Sequence, residues 1–250
     1  MKINSLYRYP IKSFTGEKKE SIEINDLGKI IGDRIGAFRL GEDRGNYDKW
    51  LKKTNYLSLM HVPYLALIKI KFDENLEKIS LKIPDYKEVK IHISEKEQIE
   101  NMILKFLSKF NFEKQFKLIL PSNSETSFHD TKLGHISLHS TESIKELNNK
   151  ISNVNGIRFR SNFIIDGCAP FEEFSFIGKK ISIGELEFKV EKTITRCAAV
   201  NCDPNQGTYN KSILKTLPEL NGIKEPSFGV RLKLISKGGL IKTKDLIELN

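Results

Sequence analysis

The sequence predicts a mainly β protein with a few helices, an α+β chain whose β-barrel core carries an N-terminal β subdomain packed on it. Three observations predict it. Short runs in which apolar and polar residues alternate recur along the chain, glycine, aspartate and proline break them at close intervals, and only one long stretch switches to a helical period. With 250 residues, 39% hydrophobic and 29% charged, the chain is long and apolar enough to bury a sizeable core.

The alternation places strands at Ile3–Tyr9, Ser21–Ile24, Leu65–Phe72, Ile79–Ile83 and Val89–Ile93, so the first ninety or so residues are β-rich. Between Glu95 and Phe110 the period changes. Ile99, Met102, Ile103, Phe106, Leu107 and Phe110 share one face of an amphipathic helix. A polar linker follows at Pro121–Thr126, and strand character returns at His135–His139. Ser140 is placed to cap a short helix over Ser143–Asn149, with Glu142 favourable in its first turn. Further strands are expected at Phe163–Ile165, Lys180–Ile183, Leu186–Val190 and Phe228–Ile235.

Composition removes several classes of function. No stretch approaches the ~20 apolar residues of a membrane span and the first residues lead straight into a strand pattern, so a cytoplasmic protein without membrane association is expected. Three cysteines, an odd number in so long a chain, do not make a disulfide framework and suit a reducing compartment. The net charge of +9 is spread along the chain instead of gathered in blocks, and no nucleic-acid-binding signature accompanies it. Nucleic acid is therefore not expected, whereas an anionic cofactor or an acidic redox partner suits the charge.

Cys197 ends the segment that starts at Leu186, where strand alternation stops, so its thiol can emerge at a strand end beside Arg196. A neighbouring guanidinium favours the thiolate, which binds soft metals or attacks electrophiles; a buried cysteine acting as a small hydrophobe is the other reading. Cys202 and Cys168 lack metal-ligand spacing and read as structural. Tyr9-Pro10-Ile11-Lys12-Ser13 puts a basic group and a hydroxyl just after the first strand, Gly32-Asp33-Arg34 offers a second basic turn, and Phe159-Arg160-Ser161-Asn162 a third. Local physics does not show that the three turns converge, although a phosphate and a polar pterin would need such donors. His135 and His139 lie in an alternating strand without a zincin glutamate and read as solvent-facing. Residues 207–212 lack the glycine that precedes the lysine of a phosphate loop, and no Gly-x-Ser-x-Gly elbow is present. Glu172 and Glu173 read as a solvated loop pair.

In order, these segments resemble the MOSC family, named for the C-terminal domain of molybdenum cofactor sulfurase, preceded by that family's N-terminal β-barrel domain. Leu6–Glu17 and Gly32-Asp33-Arg34 resemble the N-terminal domain. Arg158–Gly167, Pro170–Phe176, Thr195–Cys197, Asp203–Gly207 and Phe228-Gly229 resemble the MOSC domain. The resemblance implies an N-terminal domain over 1–94 and a MOSC domain over 95–250. It implies a molybdenum pyranopterin cofactor with Cys197 as the metal ligand, held by Lys12, Ser13, Arg34, Arg160, Asn162 and Arg196, and by Ser140 and Ser143 before and within the following helix. Pyridoxal phosphate binding belongs to the family's general description only.

Members of the amidoxime-reducing type imply the activity: reduction of N-hydroxylated or other N-oxygenated small molecules. The alternative is a non-catalytic carrier of cofactor or sulfur. Ser161 replaces the usual proline, which loosens the backbone constraint but leaves Arg160 and Asn162 in place, whereas Phe174 stands where many members have aspartate and Phe176 where they have tryptophan, which alters the expected substrate side. No cysteine run for an iron–sulfur cluster follows, so electrons are expected from a separate electron-transfer protein.

Overall fold

The computed structural model describes residues 1–43, 50–121, 126–132 and 136–250. Strands β1 (Lys2–Arg8), β2 (Glu17–Lys19), β3 (Ser21–Ile24) and β4 (Ala37–Leu40) come first, followed by β5 (Lys69–Phe72), β6 (Lys78–Lys82) and β7 (Val89–His92). Helix α1 (Lys96–Ser108), β8 (Phe116–Ile119), β9 (Ile136–Ser140), α2 (Thr141–Lys150) and β10 (Phe163–Asp166) make the middle of the chain. It continues through β11 (Lys180–Ile183), β12 (Leu186–Thr195), α3 (Ile213–Asn221), β13 (Ser227–Leu234), β14 (Gly239–Lys242) and β15 (Ile247–Leu249).

Eight strands form one sheet in the order β15-β11-β12-β13-β9-β10-β1-β2, with only β9 and β10 parallel among neighbours. Its strands alternate as the sequence predicts: Leu6, Phe163, Ile165, Phe188, Val230 and Leu232 are buried in one apolar cluster. The ladder order is open and no closed barrel is formed by these pairings. The sheet nonetheless curls until Ile247 of β15 donates to the Met1 carbonyl at 2.9 Å, beside the start of β1.

A second core lies under α1. Ile99, Ile103, Phe106 and Leu107 on its apolar stripe pack with Phe14, Phe38, Ile70, Leu81 and Ile91, each buried side chain contributing ~1.5–3 kcal/mol relative to exposure. The division expected after residue 94 therefore separates α1 from the core it completes, while β1 to β3 belong in space with the second half of the chain. Among the described residues, no helix is long and apolar enough to cross a membrane.

Several elements differ from expectation. The strand expected over Leu65–Phe72 begins only at Lys69, because Pro63 opens a 3-10 turn over Pro63–Leu67. The helix α2 starts two residues before the expected Ser143, and Ser140 caps it as expected, accepting from Ser143 N at 3.0 Å. Strand β12 runs on to Thr195, across two register shifts that bend it toward Cys197. Of the expected His135–His139 strand, His135 lies outside the described residues, and His139 is buried instead of facing solvent.

Candidate functional site

Three turns and one strand end meet in a cavity of about 190 Å³. The turn after β1 brings Lys12 and Ser13, anchored by Lys12 N donating to Gly36 O at 2.8 Å. The Gly32-Asp33-Arg34 turn docks directly on it, with Arg34 N donating to Tyr9 O at 2.8 Å. Arg160 ends the 3-10 turn over Gly156–Phe159 just before β10, and β12 delivers Arg196 and Cys197. Asn162 lines the same cavity. Ser13, Arg34 and Arg160 hold positive φ values of 68°, 51° and 53°, so each turn keeps a non-glycine residue in a strained conformation where its side chain meets the cavity.

Tyr9 organises the cations. Its buried ring lies against two guanidinium groups, Arg34 at 4.6 Å and Arg160 at 4.5 Å from the centroid. Gly16 makes room for it, since a Cβ there would stand 2.4 Å from the ring. Arg34 donates to Asp33 Oδ2 at 2.5 Å and to the Arg160 carbonyl at 3.0 Å. Arg160 donates to the Phe14 carbonyl. Burial, and then the like charge of Arg34, push the Arg160 pKa down to about 10. Asp33 is the buried counter-ion. Burial alone would raise its pKa, but Arg34, His129 and the Tyr9 N–H together hold the carboxyl well below its usual range.

Lys12 is also buried, which pushes its pKa down; its Nζ donates to Phe128 O at 2.9 Å and pairs with Asp130. The cavity is thus strongly positive: seven of its lining residues are lysine or arginine and one, Asp130, is acidic. A cavity with that imbalance fits a ligand carrying several negative charges.

Cys197 is half-buried at the end of β12 and lines the cavity. Arg196 beside it donates to Phe228 O at 2.8 and 2.5 Å and to Phe159 O at 2.8 Å, which fixes the backbone that presents Cys197. Burial pushes the thiols of Cys168 and Cys202 up to about 11, so both stay protonated at neutral pH.

Two expected ligands are not brought to the cavity. Ser140 and Ser143 face away from it and hydrogen-bond Glu173, with Ser143 Oγ at 2.9 and 3.0 Å and Ser140 Oγ at 3.2 Å from its carboxylate. Glu173 is fully buried, not solvated as its loop position suggested, because these hydroxyls and the Ser140 N–H supply its donors. Asn162 reaches the cavity, but its amide mostly stitches strands together, accepting from Ser137 Oγ at 2.9 Å and donating to Tyr7 O at 3.2 Å.

Comparison with known families matches residues 1–115 to the MOSC N-terminal beta barrel domain and residues 125–248 to the MOSC domain. The chain belongs to the MOSC domain family. The two matched regions meet between α1 and β9, in accord with the packing of α1 on the core formed with Phe14, Phe38, Ile70, Leu81 and Ile91. Molybdenum cofactor sulfurase of Caenorhabditis elegans is 36% identical over 30% of this MOSC chain but only 10% of its own length. Mouse mitochondrial amidoxime-reducing component 1 is 28% identical over 42% of this chain and 30% of its own. The matches thus span from a tenth to under a third of those relatives. The solved YuaD protein of Bacillus subtilis aligns over 99% of this chain and 94% of its own, with 13% identity and a TM-score of 0.43.

The sequence reading of this MOSC chain missed much of what holds the cavity. Tyr9 and Asp33 stood inside the quoted motifs, yet nothing local marked one as a stacking platform or the other as a buried counter-ion. Arg158 donates to Asp203 at 2.7 Å and to Asn210 at 2.8 Å, while Asp203 also accepts from Asn205 N and Gln206 N; the Asp203–Gly207 motif is thus a clamp on the loop after Cys197. Phe128, His129 and Asp130 had no sequence signal at all.

Proposed function

We propose that the chain binds a molybdenum pyranopterin cofactor in this cavity, with the Cys197 thiolate as a metal ligand, and reduces N-hydroxylated or other N-oxygenated small molecules. The observation that carries this reading is the convergence of Cys197 with Lys12, Arg34 and Arg160, from four separate segments, in one strongly positive cavity. The donor set fits the group: a soft sulfur for the metal, and forked or ammonium donors for a phosphate and a polar pterin.

In this reading Lys12, Ser13, Arg34 and Arg160 bind the anionic part, Asn162 keeps the wall rigid, and Arg196 positions Cys197 through the Phe159 and Phe228 carbonyls. When bound, the cofactor supplies Lewis-acid and two-electron chemistry at an N–O bond. The overall change is balanced as R–NHOH plus two electrons and two protons giving R–NH2 and water. The electrons come from a separate electron-transfer protein, and the net charge of +9 suits an acidic one in the cytoplasm. Pyridoxal phosphate forms no part of this reading.

The test is metal analysis of protein from a cofactor-competent host, wild type against Cys197→Ser, with reduction of an amidoxime driven by a chemical electron donor. Stoichiometric molybdenum and turnover in wild type, with loss of turnover and of most metal in Cys197→Ser, are expected. Molybdenum absent from wild type, or unchanged in the variant, overturns the reading. Persulfide on Cys197 without turnover would assign sulfur transfer instead.

A further inference from the structure

The cations of the cavity are not alike. Lys12, Arg34 and Arg160 are engaged as described, Arg158 is clamped by Asp203, and Arg196 is committed to backbone carbonyls. Lys53 and Arg231 also line the cavity, yet neither side chain makes a hydrogen bond or an ion pair among the described residues. Arg231 sits on β13 between Val230 and Leu232, which are buried in the sheet's apolar cluster. Strand alternation therefore projects Arg231 from the opposite face, toward the cavity.

Burial lowers the Arg231 pKa, which marks a guanidinium partly stripped of water with no counter-ion in contact. The carboxylates whose charge reaches it are Asp130 and Glu191. Asp130 also faces Lys53, but it is paired directly with Lys12 and cannot neutralise all three cations. A forked donor and an ammonium, both left over after the other cations are satisfied, make a subsite for an oxyanion.

We infer that Lys53 and Arg231 bind a carboxylate or phosphate carried by the substrate, so that the reducible molecules are anionic N-hydroxylated compounds. This rests on the reductase reading above. The anionic group is held by Arg231 of β13 and by Lys53, which opens a 3-10 turn over Lys53–Asn55, and the N–OH end lies toward Cys197 in the same cavity. An oxyanion of the cofactor itself is the other source of the same chemistry, and the experiment separates the two.

The holoprotein is assayed with benzamidoxime and 4-carboxybenzamidoxime, in wild type, Arg231→Gln, Arg231→Lys and Lys53→Gln, and molybdenum is measured in every preparation. Wild type is expected to favour the carboxylated probe by roughly tenfold or more in kcat/KM, the order of a charge-assisted contact. Arg231→Gln should abolish that preference, Lys53→Gln reduce it, and Arg231→Lys retain part of it. Calorimetry provides a readout without turnover: benzoate should bind Arg231→Gln about tenfold more weakly than wild type. No preference in wild type, or a preference that survives Arg231→Gln, overturns the inference. So does a loss of molybdenum in Arg231→Gln or Lys53→Gln, which assigns the pair to the cofactor. Wild type that holds no metal and reduces neither probe overturns the reductase reading itself, a result distinguishable from the others.

Discussion

Arg34 donates from Nη2 to the carbonyl oxygen of Arg160 at 3.0 Å, closing a contact between residues 126 positions apart. That bond joins the N-terminal part of the molecule to the loop before β10, and the Tyr9 ring fixes both guanidinium groups beside it. Lysine in place of Arg34 keeps the charge but cannot donate to Asp33 and the Arg160 carbonyl in the same fork. Arg34→Lys is expected to lower molybdenum content severalfold and to lower stability by about 1.5–3 kcal/mol, the range for a hydrogen bond to a charged group. Metal content and a urea unfolding curve measure the two effects; unchanged values for both would show that the fork does not organise the site.

The Arg158 side chain is 1% exposed, and Asp203 is its ionic partner. Asp203→Ala removes that partner and the acceptor of two backbone N–H groups in the loop after Cys197. A buried charge left unpaired costs about 3–5 kcal/mol. A loss of that order, with weaker metal retention, is expected, and Asp203→Asn should lose less because it keeps the loop hydrogen bonds. Thermal unfolding of the two variants decides it.

His139 is buried against Phe159 and Phe228, and among the described residues neither ring nitrogen has a hydrogen-bond partner. Burial, reinforced by the Arg196 charge, pushes its pKa down to about 3. Above about pH 6.5 the ring is neutral in both folded and unfolded chains. Below that, the unfolded chain takes up a proton that the folded one refuses, so stability falls by about 1.4 kcal/mol per pH unit toward pH 3. His129, whose pKa burial also lowers, adds to the loss in the same direction. His139→Leu should flatten the slope and match or exceed wild-type stability at neutral pH. Urea midpoints from pH 7 to pH 4 test this, and an unaltered slope would refute it.

Gly229 has φ +70°, and a Cβ there would lie 2.4 Å from the Leu138 carbonyl oxygen. Gly229→Ala therefore meets backbone that cannot swing aside, and the left-handed conformation alone costs about 1–3 kcal/mol for a residue with a side chain. The adjacent Phe228 carbonyl holds Arg196, so the variant is expected to unfold at lower urea and to retain less metal. Wild-type values for both would mean that β13 has room to shift.

Elements whose information is local were legible in the chain before any packing was known. Alternation marked β1, β3, β6, β7, β11 and β13 to within about two residues, the 3.6-residue stripe marked α1, and Ser140 marked the start of α2. The sequence also marked the end of β12 as the place where a cysteine could emerge. It missed β2, β14 and β15, short strands that pair with β1, β3 and β11; β4 and β8, which exist because Ala37–Leu40 pairs with Phe116–Ile119 far along the chain; and α3, which carries Pro218 inside it. Which charges meet was settled by long-range packing. It gathered Arg34 and Arg160 around the Tyr9 ring with Lys12 in the same cavity, sent Ser140 and Ser143 to Glu173 instead, and left Arg231 facing the cavity with no side-chain partner among the described residues. The physical reason is that periodicity records which face of an element is buried, whereas the state of a charged group depends on neighbours supplied by distant segments. Those neighbours have no fixed spacing in the sequence.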